Sequence, residues 1–172
     1  IYFSTNGLLL NEQISEKLIN SGLTRIQISI DATTQETYDK IRPGGDYNKI
    51  IKNVLNFINL KKKLNSNLPL VRVNFVKTEF NHKELNDFLI LWKDKVDMIG
   101  IQEFVKPTKV KKNITGKREI RKKKFQCSFP FKQLVINNEK KILPCCTFWG
   151  EELELQELTK PQDLITAWNS KK

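Results

Sequence analysis

Three cysteines carry the most reactive side chains of the sequence. Cys145 and Cys146 are adjacent in the stretch ILPCCTFWG, and Cys127 precedes them. Adjacent cysteines rarely bond to each other, because the geometry is strained. Thiolates favour zinc or iron–sulfur clusters, but a closed structural site needs about four ligands. The residues alone leave three alternatives: an incomplete metal site, a site completed outside this chain, or buried thiols that bind nothing.

Polar residues lie at or near the carboxyl ends of four predicted strands. Ligand sites of parallel α/β proteins form at these ends, although the same residue types also cap helices and shape turns. Ser29 and Asp31 are two residues apart, so we expect them on one side of a strand, where they suit a sugar diol or an amino group. The whole set favours a polar rim around a ligand: Ser4, Thr5, Asn6, Gly7, Ser29, Asp31, Asn74, Gln102 and Glu103.

Two other polar residues allow more than one interpretation. Arg42 follows the second predicted strand and could hold a carboxylate through two hydrogen bonds. It could equally form a surface ion pair with Asp39 or Asp46. His82, the only histidine, is expected to be an exposed residue at a helix start rather than a metal ligand.

Alternating strands and helices must position these residues. After an initial strand, apolar alternation predicts strands over 25–30, 70–76 and 96–104. Capping boxes at Thr33–Glu36 and Asn81–Glu84, and a cap at Asp46, predict the helix starts. The repeated strand–helix order indicates an α/β fold with a parallel sheet and right-handed crossovers. Helices are predicted over about 11–21, 33–41, 46–64 and 81–92.

The organisation changes after residue 104. Residues 105–126 contain ten Lys or Arg and one Glu, which accounts for most of the net charge of +11. Such a run is typical of a linker; the alternative is an electrostatic contact with nucleic acid or an acidic partner. No aromatic residues interleave with the lysines, which argues against a surface on which the bases of a nucleic acid stack. We therefore predict three parts: domain 1–104, basic linker 105–126 and domain 127–172.

The second predicted domain is a small α+β unit. Its hairpin has strands at 133–137 and 140–143, and a short helix follows a cap at Thr159 and Gln162. The sequence has no apolar run long enough to cross a membrane, and its three cysteines do not match a secreted disulfide scaffold. We therefore expect a reducing, cytoplasmic setting.

Four stretches, in this order and spacing, resemble a radical S-adenosylmethionine (radical SAM) enzyme. YFSTNGLLL, IQISIDATTQETYDKIRPGG and VRVNFVKTEFNHKELNDFL resemble the later half of its partial (β/α)6, TIM-like barrel. CSFPFKQLVINNEKKILPCCTFWGEELELQELTKPQDLITAWNS resembles the SPASM or twitch extension, which carries auxiliary iron–sulfur clusters in that family. The resemblance covers nearly the whole chain apart from the basic linker.

The resemblance implies a reaction and its cofactors. A [4Fe–4S] cluster held by a CxxxCxxC loop cleaves S-adenosylmethionine reductively, and the 5′-deoxyadenosyl radical removes a hydrogen atom from the substrate. It also implies a peptide or small-metabolite substrate and an electron donor such as flavodoxin or ferredoxin, with no membrane partner. By the same resemblance the residues near S-adenosylmethionine are Thr5, Asn6, Ser29, Asp31, Arg42 and Asn74, and the metal ligands are Cys127, Cys145 and Cys146.

The sequence departs from the family pattern at both ends. It contains no CxxxCxxC, and the family's further cysteines would follow Lys172. The glycine expected in the hairpin is replaced near Asn138–Glu139, where asparagine accepts positive φ. We therefore expect an internal fragment that is inactive by itself. The alternatives are a non-catalytic member of the family, a basic binding module, and a zinc-binding structural domain.

Overall fold

The chain divides into two compact units, Ile1–Arg118 and Glu119–Lys172. The computed structural model describes residues 1–104, 128, 131–146 and 153–170. The predicted basic linker over 105–126 and the predicted metal ligand Cys127 lie outside the described residues. The three-part division of the chain, with its boundaries at 104 and 126, stays a prediction.

The first unit contains a four-stranded parallel sheet with the strand order β1-β2-β3-β4. This arrangement confirms the predicted α/β fold and matches part of a TIM-like barrel. A short 3₁₀ turn over His82–Glu84 precedes the last helix. The elements are β1 (Tyr2–Thr5), α1 (Glu12–Asn20), β2 (Arg25–Ser29), α2 (Gln35–Ile41), α3 (Tyr47–Lys63), β3 (Leu70–Lys77), α4 (Leu85–Trp92) and β4 (Met98–Glu103).

The start of α3 is capped as predicted, whereas the start of α2 is shifted by one residue. Asp46 accepts a hydrogen bond from the Lys49 backbone N–H. In α2 the cap is Thr34, whose hydroxyl oxygen accepts from the Thr37 N–H, so the predicted Thr33–Glu36 capping box is wrong. The reason is a distant partner, because the Thr33 N–H instead donates to the Glu84 carboxylate.

The two faces of the sheet differ in character. One face is apolar and fully covered, with Ile26, Ile28, Val71, Val73 and Phe75 all buried in the core. Residues of α3 and α4 complete that core, and the Phe75 ring lies 4.8 Å from the ring of Phe88. We call the opposite side the polar face, because the strand register aligns polar residues across it: Ser4, Gln27, Ser29, Arg72 and Asn74.

In its described residues the second unit contains a three-stranded antiparallel sheet and one helix. The strands are β5 (Val135–Ile136), β6 (Lys141–Leu143) and β7 (Gln156–Glu157), in the order β5-β6-β7. The helix is α5 (Gln162–Trp168). The predicted hairpin and helix are both present, but β7 was not predicted, because two residues are too short to show an alternating pattern.

Two turns of this unit form differently from the expectation. The residue with positive φ in the hairpin is Lys140 (φ 62°) rather than Asn138, and the Asn137 carboxamide oxygen accepts from the Glu139 and Lys141 N–H groups. Before α5, the Asp163 carboxylate takes the role expected of Thr159 and Gln162. It accepts from the Thr159 hydroxyl and from two backbone N–H groups, and these hydrogen bonds lower the pKa of Asp163.

Within the described residues, no helix combines the length and the apolar composition that a membrane crossing requires.

Candidate functional site

Ser29 and Asn74 lie side by side at the centre of the polar face. The register pairs Ser29 of β2 with Asn74 of β3, and Asn74 with Gly100 of β4. Asn74 is only 3% exposed, and its Oδ1 atom is buried without a hydrogen-bond partner among the described residues. A buried amide oxygen without a donor is destabilising, so this position favours a ligand that offers one.

Thr5 and Asn6 use their side chains within their own turn. The Thr5 hydroxyl oxygen accepts from the Gly7 N–H at 3.1 Å, and the Asn6 Oδ1 atom accepts from the Leu8 N–H at 3.1 Å. Gly7 has a φ of 79°, which favours glycine. The Asn53 carboxamide donates to the Gly7 and Leu8 carbonyls, both at 3.0 Å. These contacts fix the turn after β1 in one conformation.

The buried Asp31 forms an ion pair with the half-buried Arg42. Both the Nε atom and the Nη2 atom of Arg42 donate to Asp31 Oδ2, at 2.9 and 2.6 Å. Asp31 is 2% exposed and its other oxygen accepts from the Val76 N–H at 2.8 Å. Arg42 therefore pairs with Asp31 rather than with either of the surface carboxylates considered from the sequence.

Asp31 does not continue the alternation of β2. The strand ends at Ser29, and Asp31 adopts a φ of 62°, which only a few residue types accept readily. The expectation that Ser29 and Asp31 share one side of a strand is therefore wrong. Ser29 faces the polar side of the sheet, whereas the Asp31 carboxylate is directed into contacts with the protein itself.

Asn81 joins the loops that follow β2 and β3. Its side-chain nitrogen donates to the Asp31 and Val76 carbonyls, at 2.7 and 2.9 Å, and its Oδ1 atom accepts from the Thr78 N–H at 2.7 Å. It is fully buried and makes no helix-capping hydrogen bond. The predicted Asn81–Glu84 capping box is therefore wrong, because Asn81 holds two loops together.

Glu84 binds the start of α2 instead of capping its own helix. Its carboxylate accepts from the Thr33 N–H at 2.7 Å, from the Thr34 hydroxyl at 3.1 Å and from the Thr37 hydroxyl. Burial alone would raise the pKa of Glu84, but the hydrogen bonds from these three threonines outweigh it and lower the pKa. The negative charge also lies at the amino end of a helix, where it is favourable.

The polar face also contains residues that were not predicted from the sequence. The Gln27 side-chain nitrogen donates to the Ser4 hydroxyl at 3.1 Å, and the Arg25 guanidinium stacks 4.5 Å from the centre of the Tyr2 ring. Arg72 lies beside Gln27 in the register. The period-two pattern of β2 and β3 would have located these residues, since each alternates with a buried aliphatic residue.

The described cysteines follow the hairpin directly. Cys145 is half-buried and Cys146 is exposed, and both come just after β6. Across the parts of the chain that the structure describes, no group of three or more His, Cys, Asp or Glu side chains could hold a metal ion. The convergence of Cys127, Cys145 and Cys146 stays a prediction, since Cys127 is outside these parts. His82 is exposed at the start of the 3₁₀ turn, as expected.

Comparison with known families identifies the first unit. Residues 1–77 match the radical SAM superfamily. These residues contain β1, β2, β3 and the polar face between them. This match confirms, for these residues, the resemblance to the radical SAM superfamily of enzymes; the SPASM extension is not covered by the match.

Three relatives found by sequence comparison are named GTP 3′,8-cyclase or probable GTP 3′,8-cyclase. A probable GTP 3′,8-cyclase of Methanocaldococcus jannaschii is 34% identical over 105 residues, which is 61% of this chain and 33% of that protein. A GTP 3′,8-cyclase of Alkaliphilus oremlandii is 35% identical over 96 residues, which is 55% of this chain and 28% of that protein. A probable GTP 3′,8-cyclase of Saccharolobus islandicus is 27% identical over 149 residues, and the match covers 73% of this chain and 44% of that protein. The chain thus spans less than half the length of these relatives.

The Glu84 contacts predict a specific pH dependence of stability. A carboxylate whose pKa is lowered in the folded state stabilises the fold fully above its usual pKa of 4.5, and loses that contribution as the pH falls through the folded-state value. We predict that Glu84→Gln is less stable than the wild type at neutral pH and that the difference shrinks below pH 4.5. Urea denaturation across this range measures it.

Glu16→Gln, an exposed change on α1, serves as the matched control and should follow the wild type at every pH. If the free energies of unfolding of the wild type and Glu84→Gln differ by the same amount at every pH, the stabilising role of the Glu84 carboxylate is contradicted.

Proposed function

We propose that this chain forms the later part of a radical SAM barrel and that the whole protein cleaves S-adenosylmethionine reductively. The observation that carries the proposal is the pair formed by Ser29 and Asn74, inside the segment that matches the family. Both side chains lie toward the carboxyl ends of adjacent parallel strands, where barrel enzymes place their ligands. Among the described residues neither side chain forms a hydrogen bond, so both are available to a ligand.

The chemistry of this pair fits S-adenosylmethionine. The ligand carries ribose hydroxyls, an ammonium group and a carboxylate, so it needs both donors and acceptors. Ser29 supplies a hydroxyl, and the Asn74 carboxamide supplies an acceptor that is buried and unpaired. When bound and reduced by its cluster, S-adenosylmethionine supplies the 5′-deoxyadenosyl radical. The ligands of that cluster would come from outside this chain, whose sequence contains no CxxxCxxC.

The other four cofactor candidates receive a different role in this proposal. The side chains of Thr5 and Asn6 hold the turn after β1, and the charges of Asp31 and Arg42 neutralise each other. We therefore assign Thr5, Asn6 and Asp31 to positioning the loops around the ligand rather than to direct side-chain contacts. The exposed part of Arg42, whose side chain is 34% exposed, remains the candidate for the carboxylate.

We further propose that the second unit is a SPASM-like iron–sulfur domain. The hairpin β5–β6 presents Cys145 and Cys146 at its end, and the resemblance adds Cys127. Three thiolates fall short of the about four that a cluster needs, so the remaining ligands would lie outside this chain. The whole protein would take a peptide or a small metabolite as substrate and a flavodoxin or ferredoxin as electron donor. The name of the relatives makes GTP one candidate substrate.

The Ser29–Asn74 pair generates the first test. In the anaerobically reconstituted whole protein, we expect Ser29→Ala and Asn74→Ala each to weaken binding of S-adenosylhomocysteine about tenfold, because each removes hydrogen bonds to the ligand. Isothermal titration calorimetry measures the dissociation constants. Asn56→Ala, an exposed change on α3, is the control and should bind as the wild type does. Unchanged affinity in both site variants would overturn the proposed role.

The cysteines generate the second test. Replacing Cys127, Cys145 or Cys146 with alanine should lower the iron content of the reconstituted whole protein by about four atoms if the residue is essential to a [4Fe–4S] cluster. We expect this loss of iron above all in the variants of Cys127 and Cys145. Iron and acid-labile sulfide are counted together with zinc. An iron content equal to the wild type in all three variants, or zinc in place of iron, would contradict the SPASM-like assignment.

A further inference from the structure

A groove between α1 and α3 lies on the side of the sheet opposite the polar face. The two helices pack against each other, and both contribute side chains to the apolar core that covers this side. The groove has a volume of about 290 Å³, close to the lower limit of about 300 Å³ for small-molecule sites. It is lined by Glu12, Ser15, Asn56, Asn59, Leu60 and Lys63. The groove is therefore separate from the Ser29–Asn74 pair.

Ser15 is the buried polar residue of this groove. It is 1% exposed, and its hydroxyl oxygen has no hydrogen-bond partner among the described residues. A serine within a helix often donates to the carbonyl four residues earlier, but here the Asn11 carbonyl accepts from the Ser15 backbone N–H and not from its hydroxyl. A buried hydroxyl without a partner is destabilising, so this position favours a ligand that offers a hydrogen-bonding group.

Two asparagines of α3 line the groove together with Ser15. Asn56 and Asn59 are three residues apart, so their side chains lie on one face of the helix. Both are exposed, and neither side chain forms a hydrogen bond among the described residues. Each carboxamide offers N–H donors and a carbonyl acceptor, which complement the C=O and N–H of a peptide group. The middle of the groove therefore suits an extended chain of amide groups.

Opposite charges lie toward the two ends of the groove. α1 and α3 each return from one parallel strand to the next, so they run in the same direction. The Asn53 side chain donates to two carbonyls of the turn before α1, so Glu12, at the start of α1, lies toward Asn56. Lys63 follows Asn56 by two helical turns, a rise of about 10 Å. Neither Glu12 nor Lys63 forms an ion pair among the described residues.

We propose that this groove binds a short zwitterionic peptide of about three residues in an extended conformation. The Glu12 carboxylate binds the ammonium group at one end, and the Lys63 ammonium binds the carboxylate at the other. Ser15 and the two asparagine carboxamides bind the peptide groups between them. Three extended residues span about 10 Å, which matches the rise between Asn56 and Lys63. This inference does not rest on the proposed function, because the groove shares no residue with the polar face.

The test is an NMR titration of the full chain with tri-alanine at constant ionic strength. We expect saturable shifts of the side-chain amide signals of Asn56 and Asn59. The Asn53 side-chain amide, which is already bound to two carbonyls, is the internal control and should not shift. N-acetylated tri-alanine and tri-alanine amide each lack one terminal charge and should bind about tenfold more weakly. No saturable shift with tri-alanine would overturn the proposal, and so would equal affinities for the three peptides.

Variants at the two ends test the direction of the peptide. Glu12→Gln should weaken binding of tri-alanine about tenfold and should then bind the acetylated peptide equally well, because the ammonium group has lost its partner. Lys63→Gln should do the same for the amide form. Lys62→Gln removes an exposed charge that points about 100° away around the helix, so it should bind as the wild type does. Equal losses in Lys62→Gln and Lys63→Gln would indicate general charge attraction and would overturn the proposal.

Ser15→Ala distinguishes a ligand site from a serine that serves the fold. It removes a buried hydroxyl without a partner, so it should not lower the free energy of unfolding of the peptide-free chain. The same change should weaken tri-alanine binding about tenfold, because a hydrogen bond to the peptide is lost. Urea denaturation and the NMR titration measure the two effects. A lowered free energy of unfolding together with unchanged tri-alanine affinity would overturn the role of Ser15 and the site with it.

Discussion

The buried carboxylate of Asp31 is the contact on which the geometry of the first unit depends. Burying a charge is expensive unless it is paired and its remaining oxygen is hydrogen-bonded, and here both conditions are met. One oxygen binds Arg42 at the end of α2, and the other binds the Val76 N–H in β3. Asn81 adds a bond from the following loop to the Asp31 carbonyl. Three segments are thereby fixed around the end of β2, next to Ser29.

This arrangement separates two kinds of polar residue. Asp31, Asn81 and Glu84 have their hydrogen bonds satisfied by the protein, so they shape the loops. Asn74 and Arg72 each have a buried atom on the polar face with no hydrogen-bond partner among the described residues, and Ser29 lies beside Asn74. Because native proteins satisfy nearly all buried polar groups, these atoms support the proposal of a ligand site on the polar face. The opposite face is a conventional apolar core and carries the stability.

The sequence predicted what depends on local pattern and failed where distant contacts decide. The strands follow from alternating apolar residues, and the Asp46 cap follows from its neighbours. The box at Thr33–Glu36 failed because Glu84, far along the chain, takes the Thr33 N–H. Arg42 pairs with Asp31, and the positive φ of Asp31 could not be predicted from the pattern of neighbouring residues. Only the family resemblance predicts that the cysteines are cluster ligands, since their number alone does not decide whether a metal site exists.

A double-mutant cycle between Asp31→Asn and Arg42→Gln tests the central claim most directly. Each variant and the pair are unfolded with urea, and the free energies of unfolding give the coupling between the two side chains. Partners in one buried network should show a coupling of about 1–3 kcal/mol. A coupling within about 0.3 kcal/mol of zero is typical of independent sites and would contradict the account, because Asp31 and Arg42 would then not hold these loops together.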